Sequence, residues 1–126
     1  MSDAAENVKE KAARLGLTLV EAGPHDIFVD IDQAGDLYVL EAVLPILQDA
    51  EFSVTLMKTT YSQHGGKHVW LRASRDLTDL ERLFLQAVLG SDRKREALGF
   101  VRVMRGTRPV TVFFEVPEPP METLPF

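Results

Sequence analysis

Two carboxylates stand two residues apart in the string D-I-F-V-D-I-D, which occupies residues 26–32. Alternate side chains of a β-strand project from the same face, so Asp30 and Asp32 would point toward one spot, with Phe28 beside them. Paired carboxylates suit a hard divalent cation such as Mg²⁺ or Mn²⁺. The string therefore predicts a strand that carries a metal site, although Asp-x-Asp at a strand end is as often simply solvated.

A second string with chemical potential is Y-S-Q-H-G-G-K-H-V-W-L, at residues 61–71. Gly65 and Gly66 predict a two-residue hairpin turn, because glycine tolerates the positive φ that such turns need. In the strand that follows, His68 and Trp70 share one face, while Lys67, Val69 and Leu71 share the other. A lone histidine is more typical of a hydrogen-bonded structural residue and a lone tryptophan of the core. Their occurrence on one face favours a functional surface.

These strings must be positioned by a fold whose predicted elements follow the order β-α-β-β-α-β. The predicted helices and strands are a helix at 3–15, a short strand at 17–21, a strand at 27–32, a helix from the N-cap Asp36 to about 49, strands at 52–60 and 67–73, a helix from 78 to Gly90, a short helix at 93–98, and strands at 100–104 and 110–116. This order predicts an α+β fold, a ferredoxin-like or RRM-like split βαβ antiparallel sheet with helices on one face. The strands at 27–32 and 67–73 would then be central neighbours. Asp30, Asp32, His68 and Trp70 would meet on the open face.

Length and composition limit the number of domains, the kinds of metal site and the cellular location that we expect. The length of 126 residues predicts one domain, at residues 1–116, followed by a proline-rich tail at 117–126. The absence of cysteine excludes disulfides and thiolate zinc sites. No apolar run approaches ~18 residues and the N-terminus has no signal-peptide core, so we expect a cytoplasmic protein with no membrane partner.

Charge is distributed unevenly along the chain. The net charge of −5 argues against a generic nucleic-acid binder. Between residues 90 and 109, however, six basic residues stand against two acidic ones. This basic strip could hold phosphates, and a bound divalent metal would offset the carboxylates elsewhere.

Together these strings resemble a known family. The D-x-D of Asp30 and Asp32, followed by S-x-x-G-G-K-H-V-W at 62–70, resembles the archaeo-eukaryotic primase superfamily, the primase-polymerases. The string G-S-D-R-K-R-E-A-L at 90–98 is similar to that of small phage-encoded proteins of this type. The resemblance covers roughly residues 26–105. It implies a minimal RRM-like catalytic core, with metal-binding roles for Asp30 and Asp32, Asp92 as the third acid, and a nucleotide-phosphate role for His68.

The leading hypothesis is therefore a metal-dependent nucleotidyltransferase of primase-polymerase type. It would act on nucleoside triphosphates and a single-stranded DNA template, with Mg²⁺ or Mn²⁺ as cofactor and a separate helicase or replication protein as a further partner. The predicted site residues are Asp30, Asp32 and Asp92 for catalysis and metal binding, His68, Lys67, Ser62 and Arg95 for nucleotide binding, and Trp70 and Phe28 for base stacking. Two alternatives stay open. One is a non-catalytic RRM-like single-strand binder that uses Phe28 and Trp70, and the other is a phage-type regulatory protein that binds another protein.

Overall fold

The computed structural model describes residues 7–49, 53–62 and 65–117, which form four helices and five strands. In chain order these are α1 (Val8–Leu15), β1 (Thr18–Glu21), β2 (Asp26–Ile31), α2 (Ala34–Gln48), β3 (Val54–Tyr61), β4 (Lys67–Ala73), α3 (Asp79–Val88), α4 (Arg93–Arg105) and β5 (Val112–Glu115). None of the helices in the described ranges combines the length and apolar character that a membrane crossing needs.

The main sheet is antiparallel and has the strand order β2-β4-β3. Its apolar face forms the core, and this face carries the residues that the alternation predicts: Ile27, Val29, Ile31, Val69 and Leu71. Leu40 of α2 and Leu85 of α3 pack against them. The fold class is α+β, consistent with the predicted ferredoxin-like split βαβ arrangement, and β2 and β4 are neighbours as predicted. Only β4 is central, because β2 lies at an edge of this described sheet, contrary to the prediction.

The opposite face of this sheet is not open. β5 pairs with β1 in a separate two-stranded antiparallel sheet instead of extending the main one. The ring of Phe113 in β5 stacks on Phe28 of β2, with ring centroids 4.5 Å apart, and on His68 of β4, with centroids 4.1 Å apart. The prediction of an exposed functional face is therefore wrong where β5 covers the sheet.

The largest correction to the predicted elements concerns residues 93–105. The sequence predicts a short helix at 93–98 and a strand at 100–104, but the whole segment is one helix, α4. Asp92 caps its N-terminus, and Gly106 ends it with a left-handed φ of 67°. These two caps define the helix, and they override the strand propensity of the valines between them.

Two smaller corrections concern helix α2 and the hairpin. Helix α2 begins at Ala34 with Gln33 at its N-cap, so the predicted cap Asp36 lies in the first turn. The hairpin is wider than a two-residue turn, because Tyr61 pairs with Lys67 and the Ser62 N–H donates to the Gly66 carbonyl. The predicted positions 3–6, Phe52 and most of the tail, 118–126, lie outside the described residues.

Candidate functional site

Three carboxylates converge at the end of β2. Asp30 lies in this strand, Asp32 follows directly after it, and Asp92 lies in the loop between α3 and α4. One oxygen from each carboxylate lies within 4.8 Å of the others. An ion bound at ~2.0–2.6 Å from each oxygen keeps its ligands within about 5 Å of one another. The set therefore fits one divalent cation, and its all-oxygen chemistry suits Mg²⁺ or Mn²⁺.

Hydrogen bonds to the main chain of Asp30 bring Asp92 close to it, although the two residues are far apart in sequence. The Asp92 N–H donates to the Asp30 carbonyl over 2.8 Å, and the Asp30 N–H donates to Ser91 Oγ over 3.0 Å. The loop thus lies along the free edge of β2. Asp92 also caps α4, because its Oδ2 accepts the Arg95 N–H over 3.1 Å. This cap uses one carboxylate oxygen and leaves the other for the cluster.

The charge of the buried Asp30 carboxylate is only partly compensated. Its Oδ1 is buried and has no hydrogen-bond partner among the described residues. Burial, opposed by Arg95 and His68 and assisted by Asp32 and Asp92, raises the pKa of Asp30 to about 6. A cation placed among the three acids would relieve both the desolvation and the mutual repulsion.

His68 lies between two acids. Its Nε2 is 3.8 Å from Asp30 Oδ1, and its Nδ1 is hydrogen-bonded to the Glu115 carboxylate of β5. The imidazole is buried and parallel to the Phe113 ring, with an angle of 10° between the two planes. Sequence reasoning missed both Phe113 and Glu115. The alternation of V-F-F-E puts these two on one face of a strand, which is the signal that could have found them.

A cavity of about 250 Å³ adjoins the carboxylates and is rich in cations. Asp30, His68 and Asp92 line one part of it, and the cationic lining residues are Lys11, Lys94, Arg95 and Arg102. Burial and the nearby Arg95 charge lower the pKa of Arg102. Within the described part of the chain, the side chains of Lys94 and Arg102 make no hydrogen bond or ion pair. The basic strip at 90–109 includes both residues, whereas Lys11 of α1 was not predicted.

Arg95 lines this cavity, but its guanidinium already donates hydrogen bonds to other groups of the protein. Nη1 donates to the Phe28 carbonyl over 2.7 Å and to the Glu96 carboxylate over 2.5 Å, and Nη2 donates to the Val112 carbonyl over 3.0 Å. These bonds join α4 to β2 and β5. Arg95 thus contributes positive charge to the cavity, while most of its hydrogen-bonding capacity serves the fold.

The other two residues that were predicted to bind nucleotide, Lys67 and Ser62, differ in their position relative to the carboxylates. Lys67 lies on the face of Val69, opposite to His68, so the strand does not direct it toward the carboxylates. Ser62 is close to them. A Cβ on Gly66 would meet Ser62 Oγ at 3.0 Å and Asp32 Oδ1 at 3.3 Å. The hairpin therefore places the Ser62 hydroxyl next to the acid cluster and leaves Lys67 outside it.

The predicted base-stacking pair does not form an exposed platform. Phe28 is 1% exposed and stacks on Phe113, so its ring belongs to the core, contrary to the prediction. Trp70 is half-buried, and its Nε1 donates to Thr60 Oγ1 over 3.0 Å. The Lys58 ammonium lies 4.3 Å from the centroid of its indole. An RRM-like binder stacks bases on exposed aromatic faces, and the buried ring of Phe28 cannot serve as one of them.

Comparison with known proteins gives no match to a family model, a curated protein or a solved structure.

Proposed function

We propose that this protein is a metal-dependent nucleotidyltransferase of the primase-polymerase type, acting on nucleoside triphosphates with a single-stranded DNA template. One observation carries the proposal: three convergent carboxylates lie beside a cavity lined by four cationic side chains. A divalent cation with a polyphosphate is the ligand that matches both halves of such a site, because the acids suit the metal and the cations suit the phosphates.

The position of each residue indicates whether it would bind the metal or the phosphates. Asp30, Asp32 and Asp92 would hold the metal, which as a Lewis acid would neutralise the triphosphate charge and activate an attacking 3′-hydroxyl. Lys94 and Arg102 would bind the phosphates, since both line the cavity and neither is used by an acid in the described chain. Orienting and neutralising the reactants account for most of the catalysis that phosphoryl-transfer sites achieve.

His68 would contact the same phosphates through Nε2. Its other ring nitrogen is held by Glu115 and its ring by Phe113, so the imidazole has one orientation. Nε2 lies 3.8 Å from Asp30 Oδ1, and both residues line the cavity. The resemblance to primase-polymerases, which places a histidine after the D-x-D pair, selects nucleotidyl transfer among the reactions that a metal and a phosphate could support.

The direct test combines metal binding with synthesis. Mn²⁺ titration by calorimetry should detect binding to the wild type and a loss of at least tenfold in affinity for Asp92→Asn. Asparagine is as good an N-cap as aspartate, so this variant keeps α4 while it removes the ligand charge. With Mn²⁺, triphosphates and a single-stranded template, the wild type should make or extend short oligonucleotides and Asp92→Asn should not.

The two outcomes against the proposal are distinct. A folded wild type that binds neither Mn²⁺ nor triphosphate would refute the enzyme assignment. Strong single-strand binding without metal, lost on Trp70→Ala, would instead support the RRM-like binding module.

A further inference from the structure

The outer edge of β2 is hydrogen-bonded by side chains where a neighbouring strand would normally lie. The Phe28 N–H donates to Gln86 Oε1 over 2.8 Å, and the Asp30 N–H donates to Ser91 Oγ over 3.0 Å. Gln86 is 0% exposed and Ser91 is 3% exposed, so these bonds are shielded from water. The acceptors on Gln86 and Ser91 thus fix the strand that carries Asp30.

A single buried carboxylate orients both of these acceptors. Glu96, which is 7% exposed, accepts from Gln86 Nε2 over 2.8 Å and from Ser91 Oγ over 2.6 Å. A carboxylate can only accept hydrogen bonds. By taking the amide hydrogen of Gln86 and the hydroxyl hydrogen of Ser91, it leaves their oxygens free to face the N–H groups of β2.

Glu96 also connects this edge to the third acid. Its own N–H donates to the Asp92 carbonyl over 3.1 Å, and Ser91 directly precedes Asp92 in the loop. The Asp92 N–H in turn donates to the Asp30 carbonyl over 2.8 Å. Glu96 is therefore hydrogen-bonded, directly or through Gln86 and Ser91, to both segments that carry the Asp30 and Asp92 carboxylates.

We propose that Glu96 is a positioning residue, which holds Asp92 against Asp30 so that the two carboxylates can share a metal. This inference rests on the proposed function for its consequence and on the hydrogen-bond network for its cause. Residues that orient metal ligands typically change metal affinity by 10–100-fold when they are mutated.

The first variant is Glu96→Gln, which keeps the shape but adds a donor. Its amide hydrogens would oppose those of Gln86 or the hydroxyl of Ser91, so one acceptor would turn away from β2. We expect faster hydrogen exchange at the Phe28 and Asp30 amides and about tenfold weaker Mn²⁺ binding. Glu41→Gln, the same change on an exposed part of α2, is the control and should alter neither quantity.

The second variant exchanges the side-chain amide of position 86 and the carboxylate of position 96. In Gln86→Glu/Glu96→Gln, the new glutamate can accept from the Phe28 N–H and from the new glutamine, whose oxygen can still accept from Ser91 and Arg95. We expect this double variant to recover slow exchange and most of the Mn²⁺ affinity. A residue that served only global stability would not recover metal affinity through the exchange of these two side chains.

The outcomes separate this inference from the proposed function. Unchanged exchange and unchanged Mn²⁺ affinity in folded Glu96→Gln would overturn the inference while the function stands. Should Glu96→Gln fail to fold, a folded double variant with wild-type Mn²⁺ affinity would support the inference, and one with affinity still reduced tenfold or more would overturn it. Faster exchange in Glu96→Gln together with a wild type that binds no Mn²⁺ would refute the metal site, and with it the functional part of the inference.

Discussion

Asp30 and His68 are direct partners across the antiparallel pair β2 and β4, and Asp30 Oδ1 lies 3.8 Å from His68 Nε2. A whole α-β unit separates the two residues in sequence, so only the sheet brings them together. Glu115 holds the other side of the imidazole. The histidine is thereby fixed between the acid cluster and β5, and it lines the cationic cavity.

The first prediction concerns the loss of folding stability that the buried, ionised Asp30 side chain causes. Its pKa of about 6 lies above the ordinary value of 3.8, chiefly because of burial. Between these values the folded protein retains a proton that the unfolded chain has lost, so the contribution of Asp30 to stability falls as pH rises from about 4 to about 6. Asp30→Asn should remove this dependence. Above pH 6 the variant should be more stable than the wild type, by on the order of 2 kcal/mol.

Urea unfolding at several pH values between 4 and 8, in the presence of a chelator, measures this difference. Asp49→Asn, at the exposed C-cap of α2, is the matched control and should follow the wild-type pH profile. Parallel profiles for wild type and Asp30→Asn would contradict the prediction.

The second prediction concerns the close approach at the hairpin. A Cβ on Gly66 would lie 2.7 Å from the Ile31 carbonyl oxygen, which is too close for any side chain. Gly66→Ala should therefore separate β2 from the hairpin and lower the free energy of unfolding by roughly 1–3 kcal/mol. Because Asp32 Oδ1 lies at the same point, Mn²⁺ binding should weaken as well.

Gly35→Ala is the control for this substitution. Gly35 lies in the first turn of α2, and a Cβ added there would meet no atom of the described chain within 4 Å. Alanine should therefore stabilise the helix by up to about 1 kcal/mol. Equal effects of the two substitutions in urea unfolding would show that the contact with Ile31 does not matter.

The alternation of apolar and polar residues predicted much of this site. It gave the faces of β2 and β4 correctly, and with the order of elements it placed Asp30 opposite His68. The resemblance of the string at 90–98 also identified Asp92 as the third acid of the cluster. These features follow from strand periodicity and from pairs of neighbouring elements, which short stretches of sequence encode.

The features that the sequence did not reveal depend on contacts between distant segments. Val101 and Val103 suggest a strand locally, but the caps Asp92 and Gly106 set a helix across them. The pairing of β5 with β1 covers the face of Phe28 and brings Glu115 to His68. No local pattern specifies which sheet a short terminal strand joins, so these contacts could be found only in the structure.

The third prediction concerns the cationic cavity. Lys94 and Arg102 line it from α4, whereas Arg105 of the same helix lies outside it and is exposed. Lys94→Ala and Arg102→Ala should each weaken triphosphate binding by about tenfold, as expected for loss of a charge-assisted hydrogen bond. Arg105→Ala, the matched control, should have little effect.

Calorimetric titration of a triphosphate at two salt concentrations measures this difference. The effect of Lys94→Ala should shrink as salt rises, because its exposed charge is screened, and that of the half-buried Arg102→Ala should shrink less. Equal losses for all three variants would indicate that the general positive charge of α4 attracts the ligand and that the cavity does not bind it.

The last prediction concerns the Glu115–His68 pair. If Glu115 acts by holding the imidazole, its substitution should matter only while His68 is present. Glu115→Gln keeps an oxygen that can accept from Nδ1 and should bind triphosphate nearly as the wild type does. Glu115→Leu removes the acceptor and should weaken binding by about tenfold, the lower end of the worth of a hydrogen bond to a charged group. In the His68→Ala background, Glu115→Leu should add nothing, which a double-mutant cycle on triphosphate affinity measures directly. An equal loss in both backgrounds would show that Glu115 acts on the ligand independently of the histidine.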